Sequence, residues 1–308
     1  MSSSDVQLDN PYGGYIPSLP TAVVFIAIFG LSSLVFLYQI FAHRPRRMLW
    51  MLVFPICGLV EIIGWGGRLW SHFSIYGDGY LMQICCLTIA PTFISAGLYM
   101  LLGVLIQRIA PQHSWLSGTW FKIVFVVADV VSLVVQAVGG ALAASSETES
   151  GTELGGRIML GGIAFQLFVM IVFAFYAIVW TVKARKEIRE TIASLPGGQG
   201  ISRASLSMSI CSTMIILRGF YRSVELGDGF RGSIATNEPL FLLDAIPVAI
   251  AMFVVNALPP QKNLSSLYDS ASYPKCSSDS ILMAEQGGQT EVRSSAGTLV
   301  GNEATKGY

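Results

Sequence analysis

Seven stretches of the chain, near residues 21–42, 48–70, 80–106, 120–144, 155–182, 206–227 and 238–258, are almost continuously apolar, and polar residues gather between them. None shows the two-residue alternation of a half-buried strand. Each is close to the roughly 20 residues that an α-helix needs to cross a hydrocarbon core about 30 Å thick. In lipid, every backbone amide and carbonyl must find its partner within the protein, so such segments are expected as helices. The pattern predicts an all-α integral membrane protein with seven transmembrane helices over residues 21–258.

Composition agrees. Of 308 residues, 53% are hydrophobic and only 12% charged, about half the charged share of an ordinary soluble domain. Nineteen basic residues balance nineteen acidic ones, so net charge points to no acidic or basic partner, and nucleic acid is not expected as one. The first twenty residues contain no Lys or Arg and precede a run long enough to span, unlike a cleavable signal peptide. From Pro259 the chain turns Ser- and Gly-rich, which reads as a disordered cytosolic tail over 259–308.

Orientation follows from the short loops. Basic residues collect at His43-Arg44-Pro45-Arg46-Arg47, at Arg108 and Lys122, and at Lys183, Arg185, Lys186, Arg189 and Arg203. The alternate loops hold Asp78 and Glu147, Glu149 and Glu153, with Arg157 alone for base. Positive loops stay in the cytosol, so the N-terminus (1–20) is expected outside and the C-terminus inside.

Ionisable residues at membrane depth are the candidate chemistry. The second span carries Glu61 and Arg68, and the fourth carries Asp129 and Gln136, each pair seven residues apart and so on one face. In the sixth, Arg218, Arg222 and Glu225 form a stripe at four- and three-residue spacing. Gln166 lies in the middle of the fifth span, and Asp244 lies two turns into the seventh. A lone charge in mid-bilayer costs about 2.5–3.5 kcal/mol on insertion scales, so these groups are expected to pair or to line a wet cavity. Counting from the span ends places most of them in the outer half, bordering a polar cavity among spans two, six and seven. Two readings fit: a substrate or ion site, and structural ion pairing between helices. Asp129, far from the arginines, is a candidate for proton coupling. Pro91, central in the third span, frees a backbone carbonyl and kinks the helix.

With these residues in view, the sequence resembles the fungal lipid-translocating exporter family, the RTA-like resistance proteins, over about residues 12–260. The resemblance rests on Tyr15-x-Pro17-Ser18, Glu61-x-x-Gly64-Trp65-x-x-Arg68, Gln83, Pro91, Ala96 and Tyr99. It continues through Asp129-x-x-Ser132-x-x-x-Gln136-x-x-Gly139-Gly140 and Arg218-x-x-Tyr221-Arg222-x-x-Glu225-x-x-x-Gly229-x-x-Gly232, then Glu238, Asp244 and Asn256. Asn237, Phe241 and Leu258-Pro259 depart from the usual pattern. The resemblance implies a polytopic protein, most naturally of the plasma membrane, that translocates lipids or toxic amphiphiles: sphingoid bases, phospholipids or sterol-like compounds. It also implies porphyrin or haem transport as an alternative, and Glu238 as a further cavity residue.

Other classes fit less well. A seven-helix sensor or receptor shares the topology, but Gln107-Arg108 ends the third span without a preceding acid, and the seventh lacks Asn-Pro-x-x-Tyr. His43, His72 and His113 sit in loops or at their edges on different sides, so no zinc-hydrolase cluster is expected. Cys57, Cys85, Cys86, Cys211 and Cys276 have neither disulfide nor metal spacing. No ATP-binding motif appears, no cofactor or metal is expected, and the chain does not read as an enzyme.

Overall fold

The computed structural model describes residue 12 and residues 16–42, 46–75, 78–146, 148–194, 198–228, 238–260 and 262–264. Within these residues it is helical throughout. The helices are α1 (Leu19–Ala42), α2 (Val53–Phe73, preceded by a 3-10 segment Arg46–Leu52), α3 (Gly79–Ile109), α4 (Gly118–Ser145) and α5 (Glu149–Lys183), followed by α6 (Arg185–Ser194), α7 (Gln199–Gly227) and α8 (Glu238–Ala257). Six of them, α1 to α5 and α7, are long and apolar enough to cross a membrane. The described apolar part of α8, Leu242–Ala257, is shorter. The chain is therefore a multi-pass membrane protein with at least six candidate spans. The tail expected beyond Pro259 lies outside the described residues from position 265 onward, and so does most of the segment before Ile16.

The span expected at 155–182 begins earlier, at Glu149, and two further stretches differ from the sequence reading. The basic connection after the fifth span holds a helix, α6, whose ten residues carry too few apolar positions to announce themselves. α7 begins at Gln199, not 206, because its Ser- and Thr-rich first half satisfies itself. Ser205, Ser209 and Thr213 each donate to the carbonyl four residues earlier, so polar residues there cost the helix little.

α3 is the most buried of the spans and α2 and α4 pack along it. The lipid-facing sides carry the large apolar residues: Leu31, Leu34 and Phe41 of α1, Val127, Val130 and Val134 of α4, Phe168 and Phe175 of α5. α4 and α5 approach each other closely. A Cβ at Gly139 would stand 2.5 Å from the backbone N of Met159 and 2.7 Å from the Gly155 carbonyl, so only glycine permits this approach. Aromatic rings fill the seams. Phe25 stacks on Trp65 at 4.4 Å between α1 and α2, and Tyr99, Phe121, Phe125 and Phe173 cluster where α3, α4 and α5 meet. At the end where α5 finishes, His113 Nε2 lies 2.7 Å from Glu187 Oε1, tying the α3–α4 loop to α6. That contact holds the Glu187 carboxyl below its usual value of 4.5.

A candidate site between three helices

Pro91 has no N–H to give to the carbonyl of Leu87, four residues earlier, and lipid offers that carbonyl no substitute. The substitute comes from α7: Arg218 Nη2 donates to Leu87 O at 2.6 Å. A side chain expected to seek an acid thus also satisfies the carbonyl that Pro91 frees on α3.

The acids complete the arrangement. Arg218 Nε lies 3.0 Å from Asp244 Oδ1, and Nη2 donates to Oδ2 at 3.4 Å. Arg222 Nε approaches the same Oδ1 at 3.3 Å, and its Nη1 donates to Glu225 Oε2 at 2.8 Å. Arg222 Nη2 donates to Thr88 Oγ1 at 3.0 Å on α3. Glu61 of α2 is buried within the electrostatic reach of Arg218, Asp244 and Arg222. The stripe on α7 therefore joins α2, α3 and α8 through charge, with Asp244 shared by both arginines.

The other candidates make different described contacts. Arg68 is 1% exposed and stands over the Tyr12 ring at 5.9 Å and the Trp65 ring at 6.0 Å, close to where Tyr12 donates to Gln83 at 3.0 Å. Its described neighbours are these aromatic rings. Asp129 lies beside the Tyr99 hydroxyl. Gln136 belongs to a polar chain across three helices. Its Nε2 donates to Ser132 Oγ at 2.7 Å and to Gln166 Oε1 at 3.1 Å, while Gln166 Nε2 donates to Thr92 Oγ1 at 2.9 Å on α3. The Glu238 side chain lies outside the described residues. Thr88 and Thr92, which the sequence did not single out, are the hydroxyls that meet these groups. Their signal was faint, two threonines on either side of a proline in a mostly apolar helix.

A pocket with about 20 Å³ of room for water-sized groups, part of it open to the surroundings, lies against the arginines. α3 supplies Thr88 and Pro91, α5 supplies Ile163, Gln166, Leu167 and Met170, and α7 supplies Ile215, Arg218, Gly219 and Arg222. The sequence placed a polar cavity among spans two, six and seven, that is, α2, α7 and α8. The described pocket touches α7 of these three helices and is otherwise lined by α3 and α5. One part of the pocket is polar and the rest apolar, the division an amphiphile requires. Among the described residues no group of three metal-ligating side chains is present.

Residues 54–266 match the family described as RTA1 like protein. The chain is 30% identical over 283 residues to a Saccharomyces cerevisiae protein named sphingoid long-chain base transporter RSB1, an alignment covering 81% of this chain and 73% of the yeast one. Another yeast relative, named Protein RTA1, is 23% identical with 83% and 86% of the two chains covered. A third, named Protoporphyrin uptake protein 1, is 26% identical, with 77% and 88% covered.

Proposed function

The chain belongs to the RTA1-like protein family, and from that premise we propose that it translocates a lipid or lipid-like amphiphile, whose polar head enters the pocket between α3, α5 and α7. The observation that carries this reading is the pocket itself. Two guanidinium groups, a hydroxyl and an amide lie beside apolar side chains, in a chain 30% identical to a protein named as a sphingoid long-chain base transporter. Sphingoid bases, phospholipids and sterol-like compounds all divide into a polar head and an apolar body. A porphyrin does so as well, and the relative named for protoporphyrin uptake favours it as a second cargo.

Placement in the membrane belongs to the same proposal. Seven spans, with α8 as the last, put the N-terminus outside and the C-terminus in the cytosol by the charge of the short loops. The pocket then lies in the outer half of the bilayer, at the plasma membrane, and the role is transport without chemical conversion. A tag before α1 is expected to be reached by antibody on intact cells and one after Pro260 to be shielded; the reverse pattern would overturn the orientation.

The test of function is flux. Purified protein in liposomes is expected to move fluorescent sphingoid base, phospholipid or porphyrin faster than protein-free liposomes, with and without a proton gradient. Gly219→Leu, which places a side chain in the pocket, is expected to abolish that movement. Flux of all three probes at the protein-free rate would refute translocation and favour a sensor. Unchanged flux in Gly219→Leu would remove the pocket from it.

A further inference from the structure

Resting on the amphiphile reading above, we propose that the pocket recognises an anionic group, a phosphate or a carboxylate, on the head of the translocated molecule. The acids around the arginines act as positioning residues and do not hold an amine.

Hydrogen-bond capacity carries the inference. Arg218 and Arg222 line the pocket, whereas Asp244, Glu225 and Glu61 do not. The acids hold the arginines from elsewhere: Asp244 accepts from Arg218 Nη2 and lies 3.0 Å from its Nε as an ion pair without a hydrogen bond, and Glu225 accepts from Arg222 Nη1. Neither N–H of Arg218 Nη1 is committed to a described partner. Thr88 Oγ1 accepts from Arg222 and keeps its own hydroxyl hydrogen to give. Gln166 gives Nε2 to Thr92 and accepts from Gln136 at Oε1, which leaves it one N–H. Most of the uncommitted capacity in the pocket is therefore for donation. A phosphate or carboxylate brings acceptors to match it, in the planar geometry that guanidinium groups favour. An ammonium brings only donors, and it would meet two guanidinium groups before any described carboxylate. Pairing with Asp244 and Glu225 makes the arginines tolerable within the bundle and holds their planes fixed, so that little ordering remains when an anion arrives.

The experiment uses the full chain in maltoside micelles, whose heads are uncharged. A fluorescent long-chain-base phosphate is competed at neutral pH by the unlabelled phosphate, by the free long-chain base and by a long-chain alcohol of the same length. The phosphate is expected to compete at least tenfold more strongly than the base or the alcohol. Arg218→Lys, which keeps the charge but loses Nη1, is expected to lower that preference severalfold, and Gly219→Leu to remove saturable binding. Equal or stronger competition by the free base would overturn the anion assignment while leaving amphiphile binding intact. Absence of saturable binding by any of the three would overturn both. Inorganic phosphate is expected not to compete below millimolar concentration; competition as strong as the amphiphile's would overturn the assignment by making this a site for free anions. The wild-type comparison decides the matter even if the Arg218 variant fails to fold.

Discussion

Asp244→Asn is the most informative single change. One carboxylate faces two buried guanidinium groups, at 3.0 Å from Arg218 Nε and 3.3 Å from Arg222 Nε, and is itself 2% exposed. Removing one member of a buried pair costs about 3–5 kcal/mol in soluble proteins, because the partner charge is left uncompensated. Between membrane helices the figure is smaller, about 1 kcal/mol per polar contact, since separated helices find other partners in lipid. Here two arginines lose their shared acid, and Asn keeps an acceptor oxygen, so about 2–3 kcal/mol is expected from these bounds. At about 2–4 °C per kcal/mol for a chain of this size, the unfolding midpoint in micelles should fall by roughly 4–12 °C. Glu225→Gln touches one contact, on Arg222 at 2.8 Å, and should cost only about 1 kcal/mol. Combining Asp244→Asn with Arg218→Gln should cost less than the two losses added, because the second change removes the charge that the first left bare. Lipid-facing Leu243→Ala is the control. An Asp244→Asn midpoint within 2 °C or so of that control, or a larger loss in Glu225→Gln, would refute the shared-acid arrangement.

Gly139→Ala should lower the unfolding midpoint by the equivalent of about 1–3 kcal/mol through overpacking against the α5 backbone. Gly140→Ala, with nothing within 4 Å of its Cβ, should be neutral, and equal effects would deny the close α4–α5 approach. Pro91→Ala returns an N–H to the Leu87 carbonyl that Arg218 now occupies; it should straighten α3, and Arg218→Gln should then cost less stability than in the wild-type background. At the α6 latch the Glu187 carboxyl is held below its ordinary 4.5 by His113. Its contribution is therefore complete above that pH and is lost as pH falls below 4.5 through the folded value. Hydrogen exchange in α6 should speed up over that acid range, and Glu187→Gln should exchange fast already at pH 7.

What the sequence revealed and what it hid divide along physical lines. Apolar runs declare spans because lipid demands them, and the positions of α1, α3 and α4 were legible to within a few residues at each end. α6 was not, since a short charged helix meets no such demand. Spacing showed that Arg218, Arg222 and Glu225 share a face, but not that Asp244, on another helix, would serve both arginines at once. Arg68 shows the limit of counting depth along a span. Depth alone does not say that it meets the rings of Tyr12 and Trp65, because rotation about the helix axis decides which neighbour a side chain meets. The family resemblance supplied the ordered motifs; the pairing of those motifs across helices came only with the fold.

Arg218 is where packing and recognition cannot be separated by simple deletion. One guanidinium satisfies the carbonyl that Pro91 frees on α3, pairs with Asp244 on α8 and lines the pocket. Removing it breaks a helix contact and a ligand contact together, so lost transport in Arg218→Ala would fit structural glue as well as a binding site. The two roles use different atoms. Nε and Nη2 face the protein, whereas Nη1 has no described partner. An occupant bonded to Nη1 would meet a guanidinium whose plane the Leu87 carbonyl and Asp244 already hold through Nη2, so binding there need not cost the packing of α7 on α3. A change in the pocket wall that leaves these contacts in place, such as Gly219→Leu, therefore separates the two roles where deletion of the arginine does not.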